Sequence, residues 1–340
     1  MLKKSTTITF VFIFSTVIQL ISQMVVTRMF GATTNLDIFL ASVTLPTIFV
    51  TLIYSTLNDA FLPLYGDHRS DEYFFSHLAL LTFISTIFTG ILVFFSPLLA
   101  DLLYHARGQV FVRQVATQLT IMTWSIPFAV ITTLLGSYYY LRKNFLRFPV
   151  SQVFGSIFNL IFILLFARVV GIWALILSFI LNIIFQIIFI VPKNLFQIKF
   201  KTVAIKPLLI AWIPLLIGTF ALRSDALIIR SFGSSLPSGY LVYLNLVSKI
   251  FSLATSVMTI GLQVVLLPHL IDYISQRDYT HAFRYIFKAK VAALVIAVVI
   301  TFILITVSPF FINLLFVGGK FTKADASLTI RLLLPFSYRG

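Results

Sequence analysis

The residues of this sequence that could do chemistry are ionisable side chains within or beside long apolar runs. Asp37 opens one of these runs, and Asp59 lies near its far end. Arg223 and Asp225 share a later run, and Lys249 lies inside the next one. A charge in hydrocarbon costs about 3 kcal/mol on insertion scales unless it faces a partner or water. These side chains therefore predict a hydrated central cavity that binds an anionic headgroup or a coupling cation.

Each of these side chains also has a plainer interpretation. Asp37 could cap the N-terminus of its helix, because aspartate is favoured there. Asp59 is close enough to the end of its run to be ordinary surface, and the ammonium of Lys249 could extend to the membrane interface. Arg223 and Asp225 are two residues apart, so on a continuous helix they do not face each other and each needs another partner.

The sequence holds no pattern typical of a catalytic or metal site. Gly318-Gly319-Lys320 lacks the spacing of a phosphate-binding loop, so ATP hydrolysis is not expected. The five histidines form no H-E-x-x-H pair, and the absence of cysteine excludes disulfides and thiolate chemistry. We therefore expect a protein that is not an enzyme, with no catalytic residues, resident metal or cofactor.

Composition identifies the solvent of this chain as lipid. Of its 340 residues, 59% are hydrophobic and only 10% are charged, with a mean hydropathy of +1.04. Soluble domains carry about 25% charged residues. The formal net charge of +15 comes from short Lys and Arg clusters between apolar runs, as in membrane loops, so nucleic acid is not an expected partner.

The apolar runs predict an all-α polytopic membrane protein with about nine complete transmembrane helices, each needing about 20 residues. A tenth run begins near Ala324 and is still apolar at Gly340, so we expect a C-terminal truncation of a longer protein. Lysines and arginines are more frequent in the cytoplasmic segments if the N-terminus is cytoplasmic, and the positive-inside rule favours that orientation. The approximate bounds of the nine runs are 6–27, 38–63, 74–100, 115–141, 149–167, 171–192, 207–229, 240–269 and 289–316.

An internal repeat organises these runs. The segment RMFG at 28–31 recurs as RSFG at 230–233, and Ser-Pro at 96–97 recurs at 308–309 in the same order. Because the first run pairs with the seventh, the repeat unit holds six spans, and both halves share one orientation. The pattern predicts parallel halves with a substrate route between them.

The repeat divides the chain into two predicted domains. Residues 1–200 form a first six-helix repeat, and residues 201–340 form an incomplete second repeat that begins with the seventh helix and ends in the tenth.

Several motifs of the sequence resemble the MurJ (MviN) lipid II flippase family, which belongs to the multidrug/oligosaccharidyl-lipid/polysaccharide exporter superfamily. The resemblance covers essentially the whole chain, and the segment G-x-F-T-x-x-D near its end is fairly specific. The matching positions are RMFGA at 28–32, DIF at 37–39, LP at 45–46, AFLP at 60–63, Asp225, LLP at 266–268 and FVGGKFTKAD at 316–325.

The resemblance implies a function. The chain would move an undecaprenyl-pyrophosphate-linked glycan such as lipid II across the bacterial cytoplasmic membrane for peptidoglycan synthesis, by alternating access driven by the membrane potential or by Na⁺ or H⁺. Its partners would be that lipid and the surrounding membrane lipids, and we expect a monomer. Arg28 and Asp37 fall on family motif positions and are carried over. The complete set of expected substrate-binding residues is Arg28, Asp37, Asp59, Arg223, Asp225 and Lys249.

The chain departs from the family at positions where the family has cavity arginines and one aspartate. Because a pyrophosphate is held best by cations, two other transport hypotheses stay open. One is a flippase for another lipid-linked polysaccharide of the exopolysaccharide or teichoic-acid type, and the other is a cation-coupled small-molecule exporter of the same superfamily. A non-transporting scaffold is a third hypothesis. The departing positions are Thr16, Ser22, Gln23, Val50, Thr51 and Val247.

Overall fold

A computed structural model describes residues 2–65, 70–192, 201–252, 270, 273–275 and 278–337. Within these ranges the chain is helical, and its one sheet-like pairing is an isolated bridge between Gly318 and Phe321. The predicted all-α membrane fold is confirmed.

The described residues form thirteen α-helices, numbered in chain order, and a short 3-10 turn at His105–Arg107 follows the fourth. Their bounds are α1 Leu2–Phe30, α2 Thr34–Tyr65, α3 Asp71–Phe94, α4 Ser96–Tyr104, α5 Gln109–Thr123, α6 Ser125–Leu141, α7 Arg147–Val170, α8 Trp173–Ile190, α9 Lys206–Arg223, α10 Asp225–Gly233, α11 240–252, α12 Tyr279–Phe316 and α13 Lys323–Ser337.

Seven stretches of the described chain are long and apolar enough to cross a membrane, and they coincide with seven of the nine predicted runs. The first run lies within α1. The run at 240–269 begins as α11, but its residues 253–269 lie outside the described part of the chain. The seven stretches are Thr34–Tyr65, Asp71–Phe94, Gln109–Leu141, Arg147–Val170, Trp173–Ile190, Lys206–Gly233 and Phe283–Phe316.

Three of the predicted runs are broken rather than continuous. The run at 74–100 breaks at Phe95, where Pro97 begins α4 without needing a backbone donor. The run at 115–141 breaks at Trp124, just before Pro127. The run at 207–229 breaks at Ser224 with no proline beside it. Hydropathy averaged over a span does not mark such breaks, because each run as a whole remains apolar across its break.

By contacts between α-carbons the chain divides into two compact units, which are described separately. Unit 1 comprises residues 1–26 and 33–238, and unit 2 comprises residues 27–32 and 239–340. The repeat boundary near residue 200 is a different kind of division, based on sequence similarity, and it stays a prediction.

The core of unit 1 is built around α2, which packs against α5, α6, α9 and α10. Leu57 and Phe61 of α2 are buried against Phe74 of α3 and Leu134 of α6. Lipid tails are as apolar as these side chains, so close packing rather than expulsion of water holds such helices together. Gly136 shows how close the packing is, since a Cβ there would lie 2.7 Å from Cδ2 of Phe148 on α7.

Unit 2 contains the last turn of α1 together with α11, α12 and α13. α12 and α13 pack against each other, and Ile312, Phe316 and Leu333 are buried in this unit. α12 begins after Asp278, whose Oδ1 accepts a hydrogen bond from the amide of His281 at 3.1 Å. That bond satisfies one of the free donors at the helix start.

Candidate functional site

A buried polar cluster in unit 1 surrounds the first three turns of α2. Asp37 lies in the first turn and its side chain is completely buried. Its Oδ2 accepts a hydrogen bond from Nη2 of Arg107 at 2.6 Å, and the Arg107 side chain is only 12% exposed. The backbone amide of Asp37 already donates to Thr33 O at 3.0 Å, so Asp37 is not the N-cap residue of α2. Its carboxylate forms a buried ion pair instead.

Arg107 is held in place by the turn between α4 and α5. The 3-10 turn ends at Arg107, and Gly108 follows with a φ of +83°, a conformation that favours glycine. Nη2 of Arg107 also donates to Pro237 O at 3.3 Å, and its guanidinium lies 5.1 Å from the ring centroid of Phe111. The turn therefore positions the Arg107 guanidinium against the Asp37 carboxylate, the Pro237 carbonyl and the ring of Phe111.

A second arginine, Arg230 on α10, reaches the same turns of α2. Its Nη1 donates to Leu40 O at 2.5 Å and to Thr44 Oγ1 at 2.8 Å. The neighbouring Ser231 donates to Leu103 O at 3.0 Å, at the end of α4. Charged donors to carbonyl and hydroxyl oxygens form strong hydrogen bonds where water is scarce. We call Asp37, Thr44, Arg107, Arg230 and Ser231 the Asp37 cluster.

The Asp37 cluster is suited to fixing helix ends rather than to holding a mobile ion. Arg107 neutralises the Asp37 carboxylate. Arg230 of α10 donates to α2 and Ser231 of α10 donates to α4, so α10 joins the other two helices. A buried pair of this kind is costly to break, because removing one partner leaves an uncompensated charge.

The break at Ser224 changes the geometry of Arg223 and Asp225. Arg223 lies in the last turn of α9 and Asp225 in the first turn of α10. A cation at a helix C-terminus and an anion at an N-terminus both interact favourably with the helix dipole. The carboxylate of Asp225 accepts from the amide of Ala226 at 2.8 Å. The single continuous run expected over 207–229 is therefore broken between these two residues. Both side chains are exposed, and their contact with substrate stays a prediction.

Asp59 and Lys249 are also exposed. Asp59 lies on α2 in unit 1, where the adjacent Asn58 accepts a short hydrogen bond from Ser137. Lys249 lies on α11 in unit 2. The carboxylate of Asp37 is buried at the start of α2, whereas Asp59 is 22 residues further along the same helix. The role of each of these side chains in substrate binding stays a prediction.

Arg28, the remaining predicted residue, belongs to unit 2. Its Nη2 donates to Leu314 O at 3.0 Å near the end of α12, and its own carbonyl accepts from the amide of Lys320 at 2.8 Å. α1 ends at Phe30, and Gly31 follows with a φ of +65°. A Cβ on Gly31 would lie 2.6 Å from Lys320 O, so there is no room for one. The loop after α12 therefore packs against the RMFG segment.

That loop carries the G-x-F-T-x-x-D segment, and its residues have structural tasks. Gly319 has a φ of +58°, and a Cβ there would collide with Arg28 O. Thr322 and Asp325 form a reciprocal cap for α13, because Asp325 Oδ2 accepts from the Thr322 amide at 2.7 Å and Thr322 Oγ1 accepts from the Asp325 amide at 3.2 Å. Tyr243 donates to Asp325 Oδ1 at 2.6 Å. The RMFG and G-x-F-T-x-x-D segments thus contact each other, through the carbonyl of Arg28 and the amide of Lys320.

Sequence reasoning missed Arg107, Arg230 and Thr44 as partners in the Asp37 cluster. By sequence Arg107 and Arg230 are ordinary loop charges, although the RSFG repeat does mark Arg230. Arg28 and Arg230, the equivalent arginines of the repeat, both donate to a backbone carbonyl of another helix in their own unit. The repeated arginine is the one signal in the sequence that could have identified this role.

Comparison with known proteins identifies the family. A family model described as "Lipid II flippase MurJ" matches residues 26–338. No match was found among curated protein sequences.

Three solved structures share the fold. A lipid II flippase MurJ in an inward closed conformation has a TM-score of 0.83 and 19% identity, covering 97% of this chain and 72% of that one. An inward-facing multidrug resistance MATE family transporter of the MOP superfamily has a TM-score of 0.70 and 12% identity, covering 94% and 76%. A MOP superfamily transporter from Pyrococcus furiosus, described as having a binding pocket of reverse polarity, has a TM-score of 0.52 and 12% identity, covering 97% and 75%.

These structures show the fold, and the family model spans nearly all of the sequence. The chain is a multi-pass membrane protein that belongs to the MurJ lipid II flippase family.

Proposed function

We propose that this protein moves a lipid-linked glycan, lipid II or a related undecaprenyl-pyrophosphate-linked precursor, from the inner to the outer leaflet of the bacterial cytoplasmic membrane. The match of the MurJ family model to residues 26–338 is the observation that carries this proposal. Such a substrate cannot cross unaided, because its charged headgroup is strongly disfavoured in hydrocarbon. A transporter supplies a hydrated route for the headgroup while the lipid tail stays in the membrane.

The proposed mechanism is alternating access, with the N-terminus in the cytoplasm and the chain acting as a monomer in peptidoglycan synthesis. The membrane potential or a gradient of Na⁺ or H⁺ supplies the driving force. Members of the MOP superfamily with the same fold include a multidrug transporter in an inward-facing conformation, which supports a cycle of this kind.

The candidate residues divide into two groups in this proposal. Asp37 contributes by holding the helix ends, since its carboxylate is buried against Arg107. Arg223, Asp225 and Lys249 are exposed and are the proposed substrate contacts. Arg223 in unit 1 and Lys249 in unit 2 are basic side chains, and each by itself attracts a pyrophosphate.

The experiment is complementation of a bacterial strain in which the resident lipid II flippase can be depleted. We expect the chain to restore growth, and Arg223→Gln to abolish rescue without lowering the amount of protein in the membrane. Arg168→Gln is the matched control, since Arg168 is an exposed arginine in the last turn of α7. Equal rescue by Arg223→Gln and Arg168→Gln would remove Arg223 from the substrate route.

The same assay separates lipid II from other lipid-linked glycans. If the chain reaches normal abundance but does not rescue growth, lipid II is not its substrate. Complementation of strains that lack an exopolysaccharide or teichoic-acid flippase then identifies the glycan.

A cation-coupled exporter of small organic molecules is the second candidate. Val50 and Val247, which stand where the family has arginines, are buried apolar side chains, so they offer no cation to a pyrophosphate. The fold shared with the multidrug MATE transporter also fits this alternative. It predicts that expression lowers susceptibility to organic cations in a strain without its own exporters, whereas a flippase leaves susceptibility unchanged.

A further inference from the structure

An apolar groove of about 390 Å³ lies between α2, α3, α6 and α9 of unit 1. Its walls are aliphatic and aromatic except for Ser85, whose hydroxyl is bonded to Thr82 O within α3. Phe49 of α2, Phe88 of α3 and Phe220 of α9 line one end of the groove, and Trp212 of α9 lines the other. The groove has the character of a hydrocarbon site, because it offers packing surface and no polar group to a ligand.

At one end of the groove, Phe49 contacts two other phenylalanines. The ring of Phe49 lies 5.3 Å from that of Phe88, edge to face, and 6.4 Å from that of Phe220. Phe49 is halfway along α2, and Phe220 is halfway along the Lys206–Gly233 stretch. This end of the groove therefore lies at the level of the bilayer midplane.

The other end is defined by Trp212, whose indole Nε1 donates to Thr56 Oγ1 at 2.8 Å. From Trp212 the helix continues back to Lys206, about 9 Å away at 1.5 Å per residue. On α2, Asp59 follows Thr56 by three residues and lies on the same face. Lys206 and Asp59 are both exposed, so a cation and an anion stand between this end of the groove and the membrane surface.

We propose that the groove binds one acyl chain of a zwitterionic membrane phospholipid from the leaflet at which α9 begins. The chain enters past Trp212 and ends at the phenylalanines, because a single leaflet of hydrocarbon is about 15 Å thick and stops at the midplane. The headgroup phosphate lies near Lys206 and its ammonium near Asp59. This use of Asp59 differs from the substrate contact expected from sequence. A groove that extends over a single leaflet disfavours a polyprenyl tail, which is much longer than one leaflet.

Trp212 provides a direct probe of this site. The sequence has three tryptophans, so Trp124→Phe with Trp173→Phe leaves Trp212 as the single fluorophore of the full chain. The detergent-solubilised protein is titrated with phosphatidylethanolamine that carries bromine on its acyl chain. We expect saturable quenching at about one lipid per protein. Bromine near the carboxyl end of the chain should quench more than bromine near the methyl end, because Trp212 lies at the headgroup end.

Filling the groove should abolish the saturable quenching. Ser85→Phe does this without removing any bond to a neighbouring helix, and Ile217→Phe is a second variant in case the first does not fold. Thr86→Phe is the matched control, since Thr86 also donates to Thr82 O but does not line the groove. Quenching that does not saturate, or that is equal in the filled and control variants, overturns the proposal.

Competition identifies the occupant. Unbrominated phosphatidylethanolamine should relieve the quenching and undecaprenyl phosphate should not; the reverse result overturns the acyl-chain assignment in favour of a polyprenyl tail. Lys206→Gln should weaken binding several-fold, and Asp59→Asn should shift the preference toward phosphatidylglycerol. Binding unaffected by both substitutions overturns the headgroup assignment. None of these readouts depends on transport, so the site and the proposed flippase function can fail separately.

Discussion

Asp37 and Arg107 form a buried ion pair with 2.6 Å between Oδ2 and Nη2, although they are 70 residues apart in the sequence. Asp37 is on the first turn of α2, and Arg107 is in the turn that connects α4 and α5. The pair therefore ties the start of one membrane helix to the connection between two others. It also explains a carboxylate at the edge of an apolar run without requiring a bound cation.

Removing one partner of this pair should destabilise the protein strongly. Asp37→Ala or Arg107→Ala leaves a charge without its ion-pair partner in a buried site, and we expect a loss of about 3–5 kcal/mol from the free energy of unfolding. The double variant Asp37→Leu, Arg107→Met should lose less than either single variant. Unfolding of detergent-solubilised protein, analysed as a double-mutant cycle, measures this coupling.

The exposed Arg113 provides the control, because Arg113→Ala removes a cation on α5 from the surface. Its effect should be within about 0.5 kcal/mol. A double variant as unstable as the sum of the two single variants would show that the pair is not coupled.

Thr44 should matter more than an equivalent threonine elsewhere in the core. Thr44 Oγ1 accepts from Arg230 at 2.8 Å while donating to Leu40 O, so Thr44→Val takes an acceptor from a charged donor. We expect a loss of about 1–3 kcal/mol. Thr133→Val is the comparison, since Thr133 is equally buried and its hydroxyl donates to the carbonyl of Ala129 one turn earlier in α6. Equal losses at both positions would mean that the contact with Arg230 contributes nothing.

Gly319 should not tolerate a side chain. Gly319→Ala places a Cβ against Arg28 O at a φ of +58°, and left-handed backbone alone costs an L-residue about 1–2 kcal/mol. Gly90→Ala is the control, because no atom lies within 4 Å of its added Cβ and alanine favours a helix by about 0.5–1 kcal/mol. Thermal melting of the two variants should shift in opposite directions, and a destabilised Gly90→Ala would contradict this account.

The start of α12 should respond to acid. The amide of His281 donates to Asp278 and lowers the pKa of that carboxyl below its usual 3.8. Because the folded-state pKa is the lower one, the stabilisation is fully present above pH 3.8 and is lost as the pH falls through the folded-state pKa. Hydrogen exchange of the His281 amide, corrected for its intrinsic rate, should show protection that declines in that range.

The Asp278→Asn variant distinguishes the effect of the carboxylate charge from the effect of the capping hydrogen bond. Asparagine is also a favoured N-cap residue, so protection at neutral pH should remain while the acid-dependent decline disappears. Asp278→Ala should lose protection at every pH. Equal protection of the wild-type His281 amide at neutral and acid pH would show that the Asp278 cap is not the cause of that protection.

The helical membrane fold could be predicted from sequence because span length and hydropathy are local properties. The breaks could not be predicted, and the case of Ser224 shows why. Ser224 lies between Arg223 and Asp225 inside an otherwise apolar run, and no proline is adjacent, so hydropathy and proline position do not locate the break between α9 and α10. The resemblance named the family correctly from motifs such as G-x-F-T-x-x-D, which the family model confirms.

The site was harder to predict because its contacts are long-range. Because Asp37 lies in an apolar run, the sequence predicts that its charge needs a partner. The sequence does not show that Arg107 is that partner, or that Arg230 also contacts α2. Loop arginines look alike in sequence whether they face headgroups or fold back onto a neighbouring helix. The cap formed by Thr322 and Asp325 is the opposite case, since its three-residue spacing is a local signature.

The break at Ser224 divides the Lys206–Gly233 span into halves that are restrained unequally. α10 is joined to α2 and α4 through Arg230 and Ser231, whereas most side chains of α9 are exposed and Trp212 makes its side-chain hydrogen bond to α2. The two halves of the span are therefore attached to α2 in different ways: α10 through the charged donor Arg230, and α9 through packing and the Trp212–Thr56 bond. Loss of either attachment leaves the other half of the span still joined to α2.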